Sequence, residues 1–154
     1  MTPERREAFL ADEKDARATW DAAVAAVPVT AVADRVLPDD RSVKDLVAHI
    51  AAWERWAEER LAARIEGRTP MRIPDWHAFE HDFNARADTR WRAEPWDTVA
   101  AEAAAAYAAF RGRVERLDDE QLAKVEELIK GCGSRHYAEY IGQIQALVTR
   151  SGSS

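Results

Sequence analysis

Residues 42–67 read SVKDLVAHIAAWERWAEERLAARIEG, and the spacing within them sets the fold class. Ser42 with Asp45 three positions on forms a capping box, the arrangement in which each residue satisfies the other's free amide at a helix start. Leu46, Ile50, Trp53, Ala57, Leu61 and then Arg64 or Ile65 follow at intervals of three and four. That is the apolar stripe of an amphipathic helix, and Gly67 stands where a left-handed residue closes one.

The same pattern recurs on both sides. Upstream, Thr2 and Pro3 are suited to a helix start, and Phe9, Ala16, Trp20, Ala23, Val24 and Val27 share one stripe before Pro28. Residues 29–40, with Pro38 and paired aspartates, read as a loop. Downstream, two prolines break the pattern between Arg68 and Pro74, and Asp75 then caps a shorter helix carrying Trp76, Phe79, Glu80 and Phe83. A long helix after Pro95 aligns Val99, Ala103, Ala106, Phe110, Val114 and Leu117. Asp118 and Gln121 open a short amphipathic piece ended by Gly131 and Gly133. A last helix, capped by Ser134, aligns Tyr137, Tyr140, Ile141, Ile144, Leu147 and Val148, and Ser151 to Ser154 reads as a frayed tail. Alanine is the commonest residue and no strand-like alternation is sustained. The prediction is an all-α single domain over residues 1–150: a four-helix bundle with a long crossover between the second and third long helices, which builds its sites between facing helices.

The composition fits that architecture. In 154 residues, 47% are hydrophobic and 32% charged, with six glycines and six prolines, enough apolar surface for a core without staples. A single cysteine, Cys132, cannot bridge internally, which points to a reducing, cytoplasmic setting. The net charge is −6 and the arginines are scattered among carboxylates, so no nucleic-acid partner is expected. No run approaches the roughly 20 apolar residues of a membrane span, and no export segment is expected.

Only four histidines occur. His49 and His136 each fall at the border of their helix's apolar stripe and in its N-terminal part, so with those two helices parallel the rings lie near one end of the bundle and can face one cavity. The alternative is two half-buried histidines packed against Trp or Tyr. His77 and His81 have the spacing of a helical metal pair, but they lie off the Trp76, Phe79, Phe83 stripe and no third ligand is adjacent, so they read as solvated residues flanking the crossover. Six tryptophans are many for this length. Trp53, Trp56, Trp76, Trp91 and Trp96 should gather where the crossover meets the second helix, as the wall of an aromatic pocket or as core filling. Arg60 and Arg64 follow on the same helix, either as carboxylate binders in that pocket or as surface residues paired with Glu59 or Glu66. No phosphate loop, nucleophile elbow, C-x-x-C or H-E-x-x-H motif occurs, and nothing marks Cys132 as activated.

Three segments together, Ser42 to Glu54, Asp82-Phe83-Asn84 and His136 to Ile144, resemble the DinB-like superfamily and its ClbS/DfsB branch, in element order over nearly the whole chain. The resemblance implies a four-helix bundle, often a homodimer. It also implies a divalent-metal site, zinc or nickel, whose three histidines correspond to His49, His136 and Tyr140. The third ligand is replaced here, and a phenol must lose its proton to ligate well. Glu139 or another carboxylate would have to complete the set, so no cofactor is expected. Members of this branch are similar to proteins that open an electrophilic ring with water to protect their host, chemistry that needs no metal.

The resulting expectation is a small-molecule enzyme, a hydrolase or transferase, with His49, His136 and Tyr140 as catalytic groups and Trp53, Trp56, Asn84 and Glu139 lining the ligand site. The alternatives are a non-catalytic binding or sequestering protein using the same cavity, or a dimeric structural module with a degenerate metal site.

Overall fold

Thr2 accepts a hydrogen bond from the Arg5 amide and Pro3 takes the first helical position, which starts α1 (Pro3–Ala25). In the computed structural model, which describes residues 1–153, five more helices follow: α2 (Val43–Ile65), α3 (Trp76–Trp91), α4 (Trp96–Arg116), α5 (Asp119–Cys132) and α6 (Ser134–Ser151). The protein is all-helical. Both capping boxes form: Ser42 with Asp45 opens α2, and Asp118 with Gln121 opens α5. Asp75 caps α3 through the Ala78 amide, and Gly67 takes a φ of 70° just beyond α2. The loop of residues 29–40 contains two single-turn 3₁₀ segments. Asp39 and Asp40 both adopt left-handed φ, which aspartate tolerates better than most residues, and the Leu37 amide donates to the Arg41 carbonyl across the turn. That turn fixes where Arg41 leaves the chain.

α6 begins differently from expectation. Ser134 is its first residue and not its cap; Gly133 occupies the cap position and makes no side-chain cap. The cap comes from α1: Glu13 accepts from the Ser134 amide at 2.9 Å and from the Ser134 hydroxyl at 2.5 Å. A carboxylate there meets both the free amides and the positive end of the helix. The C-terminal tail is also shorter than expected, since Ser151 is helical and Gly152 caps α6; Ser154 lies outside the described residues.

The core divides into two clusters. One gathers Trp20, Val27, Leu46, Ile50, Val99, Ala106, Tyr137 and Ile144, and the other Phe9, Trp53, Leu61, Phe110, Leu117, Leu122 and Ile129. Both α2 and α4 traverse the pair, and α5 fills only the second. Buried polar groups mark the seam on α2, where His49 and Glu54 flank the passage from one cluster to the other. Arg17 Nη1 donates to Glu54 Oε1 at 2.6 Å and the Tyr137 hydroxyl donates to the same oxygen at 2.5 Å, so one carboxylate ties α1, α2 and α6 together.

Candidate functional site

The seam carries the site. Because α5 occupies the lower half of the space beside α2, α6 starts midway along it and runs the opposite way: Tyr137 reaches Glu54, while Tyr140, one turn further on, reaches His49. The two helices are therefore antiparallel, and the imidazoles meet at mid-height and not at one end of parallel helices. His49 Nε2 and His136 Nε2 are 3.0 Å apart and the Tyr140 hydroxyl is 3.5 Å from His49 Nε2. One ring donates and the other accepts. Both rings are buried, and neither Nδ1 has a hydrogen-bond partner.

Burial dominates the electrostatics. It lowers His49 to about 3, helped by the neighbouring ring and by Arg41, and lowers His136 to about 4, again with Arg41 assisting. Both imidazoles are therefore neutral at pH 7. Burial also raises the Tyr140 phenol, the Glu139 charge raises it further, and the Arg41 charge opposes the rise, so the hydroxyl stays protonated. Arg41, missed by the sequence reading, sits in the turn before α2 and also reaches Asp88 on α3 at 3.5 Å. It lies on no helical stripe, so periodicity carries no trace of it. Glu54 was equally hidden, because a single carboxylate facing the core is masked by the apolar residues around it.

Beyond the histidines a cavity of about 480 Å³ opens along α2. Trp53, Trp56 and Trp76 wall it, with Trp53 against Phe83 at 4.3 Å between centroids and its indole N–H donated to Asn84 Oδ1 at 2.9 Å. Asn84, Glu139 and Tyr140 line it as well. Trp91 and Trp96, expected in this wall, do not join it and pack on the first core cluster. Arg60 and Arg64 line the cavity. Neither pairs with Glu59 or Glu66; Glu66 is taken by Arg68. His77 and His81 lie on the exposed side of α3. Cys132 is buried in the cavity lining, and burial pushes its thiol up to about 12, so it stays protonated at neutral pH.

The donor set does not suit a resident metal. Two nitrogens about 3.3 Å apart would fit two corners of a tetrahedral zinc site, and 3.0 Å is close to that. The third donor is a phenol held in its protonated form, and the orienting partner that a ligating imidazole usually gives its second nitrogen is missing at both rings. Among the described residues no group of three His, Cys, Asp or Glu side chains could hold a metal. No helix in the described residues is long and apolar enough to cross a membrane. No family model, curated protein or solved structure matches the chain.

Proposed function

We propose that this cavity is a small-molecule site in a four-helix bundle of the DinB-like, ClbS/DfsB kind, with α1, α2, α4 and α6 as the long helices and α3 as the crossover. Cluster membership supports the bundle: α2 and α4 both start in the first core cluster and end in the second, so the chain between them has to return along the molecule. The activity that the resemblance suggests is hydrolysis of, or transfer to, an electrophilic small molecule, in the cytoplasm, for self-resistance or detoxification. The observation that carries it is the 3.0 Å approach of two neutral imidazoles at the wall of an aromatic cavity.

In the hydrolytic case the accepting imidazole, freed from its partner ring, takes a proton from water as the water oxygen bonds to the electrophilic carbon. The bond from that carbon to its leaving atom breaks, and the leaving atom keeps the electron pair and takes the Tyr140 proton. The imidazolium then returns a proton to Tyr140, so one water is added overall. Incubation with an epoxide such as styrene oxide in ¹⁸O-water, read by mass spectrometry, should give the labelled diol, and His49→Ala should reduce it to the background rate. Background-level diol with the unaltered protein would end the hydrolytic reading for this class of electrophile.

A second reading, sequestration without turnover, draws on two observations of the same rings. Their basicity lies well below pH 7, where a general base works poorly, and neither Nδ1 has the acceptor that would hold a developing imidazolium. Epoxide binding without product would favour it.

A further inference from the structure

On α2 the cavity residues follow one another as His49, Trp53, Trp56, Arg60 and Arg64, at intervals of four, three, four and four. At 1.5 Å per residue the lining runs about 16 Å along the axis from His49 to Arg60. The site is thus a trough with a hydrogen-bonding pair at one end, indoles in the middle and guanidinium groups at the other. Arg60 lies over the Trp56 ring, 4.8 Å from its centroid, and donates one hydrogen bond, to the Met71 carbonyl at 3.1 Å. Its fork has five donors, so most of them remain to be used. Among the described residues neither Arg60 nor Arg64 has a carboxylate partner, and burial together with their mutual repulsion lowers Arg60. Two of the cavity's carboxylates have other partners, Glu80 accepting from the Trp76 indole and Glu127 pairing with Arg135 and Lys130, and Glu139 lies beside Tyr140 at the histidine end.

Two adjacent, unneutralised guanidiniums, one stacked on an indole, form a receptor for a planar anion, because the fork matches both oxygens of a carboxylate while the ring supports the flat group attached to it. We propose that Arg60 and Arg64 anchor the carboxylate of an elongated, planar-bodied organic acid whose far end reaches the His49–His136 pair. This rests on the small-molecule reading above and names the ligand class.

Biphenyl-4-carboxylate and its primary amide, equal in length and flatness, separate the two ideas. Titrations followed by ¹⁵N NMR at the indole N–H signals of Trp53, Trp56 and Trp76 should show the acid binding at least about tenfold more tightly than the amide. The double variant Arg60→Gln, Arg64→Gln should lose that preference while keeping the amide's affinity, and His49→Ala should retain it. Equal affinity for acid and amide, or a preference that survives the double variant or vanishes in His49→Ala, overturns the anchor but leaves the pocket standing. Indole signals that move with neither probe overturn both. Displacement of the acid by inorganic phosphate at lower concentration than by acetate overturns the carboxylate assignment in favour of a phosphate.

Discussion

At a single position, Tyr140, the side chain decides what the histidine pair can hold. A half-buried phenol whose burial raises it keeps its proton at neutral pH, so it donates hydrogen bonds and contributes no lone pair comparable with that of imidazole. Tyr140→His replaces it with a donor that ligates while neutral, on the same helix face and one turn from His136. Even an outer-shell partner changes metal affinity about 10–100-fold, so a third ligand should raise zinc affinity by about 100-fold or more. Isothermal titration calorimetry with zinc chloride on both proteins checks this, and an unchanged affinity would show that position 140 does not face the space between the rings. His49 and His136 were legible because their place on a helix follows from spacing. Arg41 was not, because a turn residue's direction depends on backbone angles, here the two left-handed aspartates, that no periodicity encodes.

Among the helices, α6 depends most on a neighbour. Its first turn is capped from α1 by Glu13, and Gly133 is the position that permits it: a Cβ there would come within 2.5 Å of Glu13 Oε2 and 2.8 Å of the Ile129 carbonyl. Glu13→Ala should cost about 2 kcal/mol, the worth of a charge-assisted cap. Gly133→Ala should cost about 1–3 kcal/mol through overpacking against a backbone that cannot yield. Because the new methyl and the carboxylate compete for one space, the double variant should be less destabilised than the sum of the two, by at least about 0.5 kcal/mol in a urea-unfolding cycle. Strict additivity would mean that the clash is relieved elsewhere. Ser134 reads as a cap in the sequence because serine caps are local. The real cap comes from 121 residues away, and that is why the elements were legible while this junction, which sets the height of His136, was not.

For the molecule as a whole, the helical periods determine a two-part core, but the polar seam between the parts is a product of assembly. Arg17 and Glu54 sit inside otherwise apolar faces and make sense only once α1, α2 and α6 come together. The seam makes stability depend on pH in two opposing ways. The imidazoles, at about 3 and 4 in the fold against 6.5 when unfolded, are neutral in the native state, so the unfolded chain binds more protons and stability falls as pH drops below 6.5. Between pH 6.5 and 5 that is about 1.5 kcal/mol per ring. Glu54 acts the other way: burial, outweighing Arg17 and Tyr137, raises it from 4.5 to about 7. Its contribution is complete below pH 4.5 and lost as pH rises through 7, so the same acidification returns about 1.5–2 kcal/mol. The protein should therefore lose about 1–2 kcal/mol between pH 6.5 and 5. The double variant His49→Leu, His136→Leu, which removes both partners of a buried hydrogen bond and so strands neither, should fold with stability near that of the parent at pH 7. Its stability should then rise as pH falls to 5, because the opposing contribution of the two buried rings is gone and that of Glu54 remains. Urea unfolding at the two pH values reads the sign directly: a double variant that weakens on acidification as much as its parent would show that the buried rings are not the groups that take up the protons.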